Sequence, residues 1–135
     1  MSSRSPEQRS LRDSGEALLP EERLRRRADF LRCYQRGRRY YGQWVTLHVV
    51  DRGPGAAGPR LGITVTRKVG GAVVRHRIKR RIKEIYRRWN QRRQLPPFDI
   101  LVHVKPRARE VDFNGLQTEL IRLLTPLIRS ANPIG

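Results

Sequence analysis

Between residues 67 and 93 the chain carries twelve Lys or Arg side chains and a single acid, Glu84. Guanidinium and ammonium groups at that density are suited to one task above others, the neutralisation of phosphates. On a helix turning about 100° per residue, His76, Lys79, Arg80, Lys83 and Arg87 share one ridge, and Val74, Ile78, Ile82, Ile85 and Trp89 share the opposite one. A merely solvated helix face interleaves acids at four-residue spacing to relieve repulsion, and only Glu84 does so here. At 1.5 Å per residue a helix over residues 73–89 spans roughly 25 Å, long enough to follow several successive phosphates. Arg75 projects from its first turn near the edge of the apolar stripe. Gly70 and Gly71 precede the helix and serve either a plain turn or the close approach of a phosphate to free backbone N–H groups.

The whole chain repeats this bias. Its 135 residues hold 30 Lys and Arg against 12 Asp and Glu, a net charge of +18. Such a surplus costs self-repulsion in the folded state, and a polyanionic partner offsets it. Nucleic acid is favoured over an anionic membrane, because the apolar side of the basic helix is committed to a core instead of being exposed to lipid. The single cysteine, Cys33, cannot close an internal bridge, and no Cys/His cluster has zinc spacing. With no signal-peptide core in residues 1–22 and no span of about 20 apolar residues, a cytoplasmic protein is expected, neither secreted nor embedded in a membrane. The acids are scattered, so a nuclease built from protein carboxylates alone lacks its metal cluster, and a general RNA-binding protein is the other alternative.

The elements that must position the basic helix follow from pattern. Residues 1–22 read as a mobile tail, 23–131 as one RNA-binding domain and 132–135 as a C-terminal tail. Phe30, Leu31, Cys33 and Tyr34 lie at helical spacing, with Gly37 as a stop signal. Residues 43–50 form a strand, 51–59 a Gly/Pro loop, and 60–66 a second strand expected to pair back antiparallel as a hairpin. Residues 98–104 form a compact apolar strand suited to a sheet centre. A terminal helix carries Phe113, Leu116, Leu120, Leu123, Leu124 and Leu127, with Asp112 as N-cap and Pro126 as a kink or an end. Trp44 and Trp89 read as core, and His48 and His103 as strand residues without catalytic work. The sum is an α+β fold: a single small sheet, with a hairpin and a central strand, packed by three helices.

The string RLGITVTRKVGGAVVRHRIKRRIKEIY at residues 60–86 closely resembles the protein subunit of bacterial ribonuclease P. The resemblance covers about residues 24–129, with Ala28-Asp29-Phe30, Phe98-Asp99-Ile100 and Lys105-Pro106 in family order. It departs at His76, where the family usually has Asn; an imidazole lacks the paired donor and acceptor of one amide. The resemblance implies a βαβ crossover through the basic helix of left-handed sense, against the usual rule. It further implies a ribonucleoprotein endonuclease that removes the 5′ leader of precursor tRNA. Catalysis would lie in the RNA subunit, which would also bind most of the magnesium, and no obligate protein partner is implied. Arg75, His76, Arg77, Lys79, Arg80, Lys83 and Arg87 would then dock on the ribonuclease P RNA, and Phe30, Tyr34 and Lys68 would line a cleft for the single-stranded leader of precursor tRNA.

Replacing Arg75, Arg77 or Lys79 by Ala is expected to weaken assembly with that RNA and to lower the slope of log affinity against log salt by about one per lost phosphate contact. Unchanged slopes for all three would remove the helix as the phosphate-binding element.

Overall fold

The computed structural model describes residues 18–129. The elements in order are α1 (Arg27–Arg36), β1 (Arg38–Tyr41), β2 (Val45–Asp51), β3 (Arg60–Thr64), α2 (Ala72–Arg88), β4 (Phe98–Val104) and α3 (Phe113–Arg129), with short 3-10 turns at Pro20–Glu22, Asn90–Gln94 and Pro106–Glu110. The four strands form one mixed sheet in the order β1-β2-β4-β3. β4 is central as expected, antiparallel to β2 and parallel to β3, and α2 makes the crossover between the two parallel strands.

The expected hairpin between the second and third strands is corrected. β2 pairs instead with β1, a strand the sequence reading omitted, across the tight turn at Gly42. A turn of a few residues closes at low entropic cost, whereas β4, buried along nearly its whole length, gains most from the sheet centre and so separates β2 from β3. β1 escaped notice because Arg-Arg-Tyr-Tyr reads as a charged linker. The tail boundary also moves: Leu18 is buried in the core, and Leu24 N–H donates to Leu61 O at 2.9 Å, so ordered chain precedes residue 23. Residues 1–17 and 130–135, including the C-terminal tail, lie outside the described part.

Strand alternation gives the sheet two unlike faces. Val45, Leu47 and Val49 of β2, Leu61 of β3, and Phe98, Ile100, Val102 and Val104 of β4 join the apolar stripes of α2 and α3 in the main core. Ile78, Ile82, Ile85 and Trp89 are buried there, as their spacing requires. Asp112 caps α3 by accepting from Gly115 N–H at 2.8 Å, and the helix runs through Pro126. Beneath this layer Glu119 is buried and accepts from the backbone N–H groups of Gln43, Trp44 and Val45 at 2.6–2.9 Å, which fixes the β1–β2 turn to α3.

The other face carries α1 over a smaller cluster of Leu24, Cys33 and Leu101 with Phe30, Tyr34 and Val50. Gly37 ends α1 in an extended conformation, and its role is contact: an added Cβ would stand 2.4 Å from Cys33 O and 3.1 Å from Val49 N. Ion pairs hold α1 down. Asp99, with no solvent exposure, receives the Arg60 guanidinium through Nε and Nη2 at 2.7 and 2.8 Å, and Arg52 Nε lies 3.1 Å away. Asp29 of α1 meets Arg60 at 3.4 Å and Arg32 at 3.0 Å.

Asp99→Ala is expected to cost about 3 kcal/mol in urea denaturation, because it leaves two guanidinium groups without their buried counter-charge. Arg32, more exposed and 3.8 Å from Asp99, should cost under about 1 kcal/mol as Arg32→Ala. Equal losses would mean that the network does not pin α1 to the sheet.

Candidate nucleic-acid interface

The basic helix splits its polar side chains into two groups. His76, Arg80 and Lys83 are exposed, Lys79 and Arg87 half-buried, and all five follow the ridge opposite the core. Glu84, the helix's only acid, is taken by Arg88 at 2.8 Å, so it does not offset the ridge. Arg75 points elsewhere: its Nη1 donates to Gly70 O at 2.9 Å and closes the turn that leads into α2. Arg77 lies on the other flank, with its Nε shielded and without a hydrogen-bond partner among the described residues. Arg87 offers its backbone oxygen to Arg92, whose guanidinium sits 6.0 Å from the Tyr86 ring centroid.

Lys79 and Lys83 also reach a groove of about 240 Å³ that brings the two predicted site groups together. Its lining includes Arg23, Arg25, Phe30 and Gly62 beside these two lysines. Gly62 matters because α1 and the leading segment press on the edge strand there. An added Cβ would stand 2.8 Å from Leu24 and 3.0 Å from the tip of the Phe30 ring. Though largely exposed, the Lys83 ammonium is partly desolvated in the groove, and this, then Lys79 and Arg23 alongside, holds it below its ordinary 10.5. Cations crowded in this way are relieved by a polyanion.

Tyr34, one turn after Phe30, stands over the sheet. Its hydroxyl shares a 2.8 Å hydrogen bond with His103 Nδ1, and its ring packs edge-on to His48 and His103 with centroids 4.9 and 5.7 Å away. Sequence reasoning left both histidines out. Alternation could have found them, since His48 points opposite to Leu47 and Val49, and His103 opposite to Val102 and Val104, which is the side α1 covers. Lys68 is exposed on the turn after β3. It does not line the Phe30 groove, and it follows Thr64, the register partner of His103, by four residues.

Nothing in this arrangement activates a nucleophile. Burial first, then the charge of Asp99, pushes the Cys33 thiol up to about 12, so it is an inert core side chain. Asp29 and Asp99 are engaged by arginines, and no group of three His, Cys, Asp or Glu suited to a metal occurs among the described residues. No helix among them is long and apolar enough to cross a membrane. What the surface offers is cations and aromatic rings, the two components of single-strand binding.

Comparison with known proteins agrees with that chemistry. The profile of the family described as Ribonuclease P matches residues 18–127. A ribonuclease P protein component from Desulfovibrio desulfuricans is 41% identical over 116 residues, covering 83% of this chain and 88% of that protein. One from Acidothermus cellulolyticus is 37% identical over 121 residues, covering 87% and 98%. The solved RNase P protein of Staphylococcus aureus matches with a TM-score of 0.70 at 28% identity, covering 78% of this chain and 94% of that one. That of Thermotoga maritima matches at 0.65 and 34% identity, covering 80% and 96%.

The histidine pair makes the fold sensitive to mild acid. His48 is held below the ordinary 6.5 by burial, then by the charges of Arg39 and His103, and His103 is held below it by burial. The folded state therefore prefers neutral rings. Stability is complete above pH 6.5 and falls as pH drops from there through the depressed native values, because the unfolded chain binds the protons more readily. Urea titrations between about pH 7 and 5 should show this slope, and His48→Gln with His103→Gln should flatten it. A slope that survives both substitutions would assign it to other groups.

Proposed function

Because the chain belongs to the ribonuclease P protein family, we propose that it acts in that ribonucleoprotein by holding the catalytic RNA on the ridge of α2 and the 5′ leader of precursor tRNA against the α1 side of the sheet. As a ribonuclease P protein component it has an RNA partner and takes part in tRNA 5′ maturation. The observation that carries the finer reading is the half-buried pair Phe30 and Tyr34 on a sheet face that the main core does not use, with Phe30 opening into the groove that Lys79 and Lys83 reach from the sheet edge.

The division of labour follows from the chemistry available. Arg80, Lys83 and Arg87, with His76 beside them, present cations without base-reading geometry, which suits a folded RNA recognised through its phosphates. Arg75 contributes by shaping the turn before α2, and Arg77 from the helix flank. Aromatic rings stack on any base and cations hold the strand, so the leader is bound with little regard to its sequence. Lys68 adds an exposed cation on the turn after β3.

The described residues do not fit a protein-held magnesium ion, since the buried Asp29 and Asp99 are engaged by arginines and Glu119 by three backbone N–H groups. Magnesium chemistry and bond cleavage are accordingly assigned to the RNA subunit. The protein's contribution is differential binding: contacts with the leader exist in the substrate and not in the mature product. They raise the affinity for precursor without slowing product release.

In the reconstituted holoenzyme, Phe30→Ala or Tyr34→Ala is expected to weaken precursor tRNA binding by about 1–3 kcal/mol per lost stack. Mature tRNA affinity should hardly change. Paired dissociation constants for the two ligands, with the melting temperature of each variant, decide the matter. Equal losses on both ligands in a well-folded variant would take these residues out of the leader site.

A further inference from the structure

Tyr41 is the most exposed aromatic side chain among the described residues, 65% accessible on the edge strand β1. Its neighbour Tyr40 packs against the main core, so alternation turns Tyr41 to the α1 side. The strand register then sets it in a line. Tyr41 is opposite Thr46, Thr46 opposite His103, and His103 beside Thr64, one residue from each of the four strands. Tyr34 reaches down from α1 to the middle of that line through its hydrogen bond to His103.

The line has a cation at its β1 end: Arg39 shares the face and strand of Tyr41, is exposed, and pairs with no acid among the described residues. Three strand spacings of about 4.8 Å make the line roughly 14 Å long, more than the Tyr34 ring alone covers. Among the described acids, Glu119 serves the β1–β2 turn from the other face, and Asp99 and Asp29 are held by arginines further along. The surface beyond Tyr34 is therefore aromatic and positively charged, which suits a nucleotide and disfavours an acidic peptide.

We infer that Tyr41 and Arg39 form an outer subsite on β1 for single-stranded RNA, where Tyr41 stacks on a base and Arg39 meets the adjoining phosphate, one step past the nucleotide held at Tyr34. The inference rests on the leader reading above and extends it to a residue position outside the α1 cleft. A ring with one solvated face gives a stack at the weaker end of the usual range. The subsite acts only on strands long enough to cross β2 and reach β1.

The test uses the holoenzyme reconstituted with ribonuclease P RNA and a series of precursor tRNAs whose leaders lengthen by one nucleotide at a time. Tyr41→Ala should weaken binding about 5- to 10-fold for the longer leaders only. Shorter leaders and mature tRNA should bind as before, and Tyr41→Phe should keep wild-type affinity. Arg39→Gln should weaken the same longer leaders and lower their salt slope by about one. Should Tyr34→Ala weaken every leader while Tyr41→Ala weakens none, the track stops at His103 and the outer subsite is refuted. Should neither variant affect any leader, the leader reading itself fails and the subsite with it. A dimer of the free protein that Tyr41→Ala dissolves, without any effect on leader binding, would assign the β1 edge to a second copy of the chain and overturn the proposal.

Discussion

The carboxylate of Asp99 lies wholly out of solvent beneath α1, and the placement of the RNA-binding face depends on how its charge is met. A carboxylate taken out of water is tolerated only with close counter-charges and satisfied hydrogen bonds. Arg60 supplies both from the neighbouring parallel strand, Arg52 adds a second guanidinium, and Arg60 also reaches Asp29 on α1. The chain of contacts runs from the sheet edge through its central strand to the helix. It orients α1 at its N-terminal end, and Tyr34, farther along the same helix, is set over His48 and His103 as a result.

A second buried acid settles the opposite edge. Glu119 of α3 gathers three backbone N–H groups at the turn between β1 and β2, and Lys105 Nζ donates to Gly42 O at 2.6 Å from the end of β4. A short, cationic edge strand gains little from its own hydrogen bonds, so this anchoring gives β1 a fixed position. Asp99 and Glu119, like the buried Asp29, are thus structural, and none of the three offsets the cations at the surface.

Those surfaces are of two kinds because the sheet has two kinds of face. The apolar face is closed by α2 and α3, which turns the cationic ridge of α2 outward. The mixed face is only partly covered by α1, so the Phe30, Tyr34 and His103 rings stay partly within reach of solvent while His48 is buried. Lys79 and Lys83 belong to both regions, on the ridge by helical angle and in the Phe30 groove by position. They connect the surface suited to a folded RNA with the one suited to a single strand.

The sequence by itself determined the basic helix, its buried stripe, the central strand, the capped terminal helix and the polyanionic partner, because periodicity and charge density are local and survive any arrangement of the elements. Phe30 and Tyr34 were legible as a pair for the same reason, one turn apart on one helix. The pairing of β2 and β3 was misread, since which strands become neighbours depends on how burial is shared across the sheet, and loop chemistry at residues 51–59 says nothing of that. Tertiary structure alone decided that β1 exists, that Arg75 donates to the Gly70 carbonyl in the turn before α2, and that His48, His103, Thr46 and Tyr41 share a face with Tyr34. Those residues are far apart in the chain and come together only through strand register, a non-local quantity set by the competition among all strands for the buried centre.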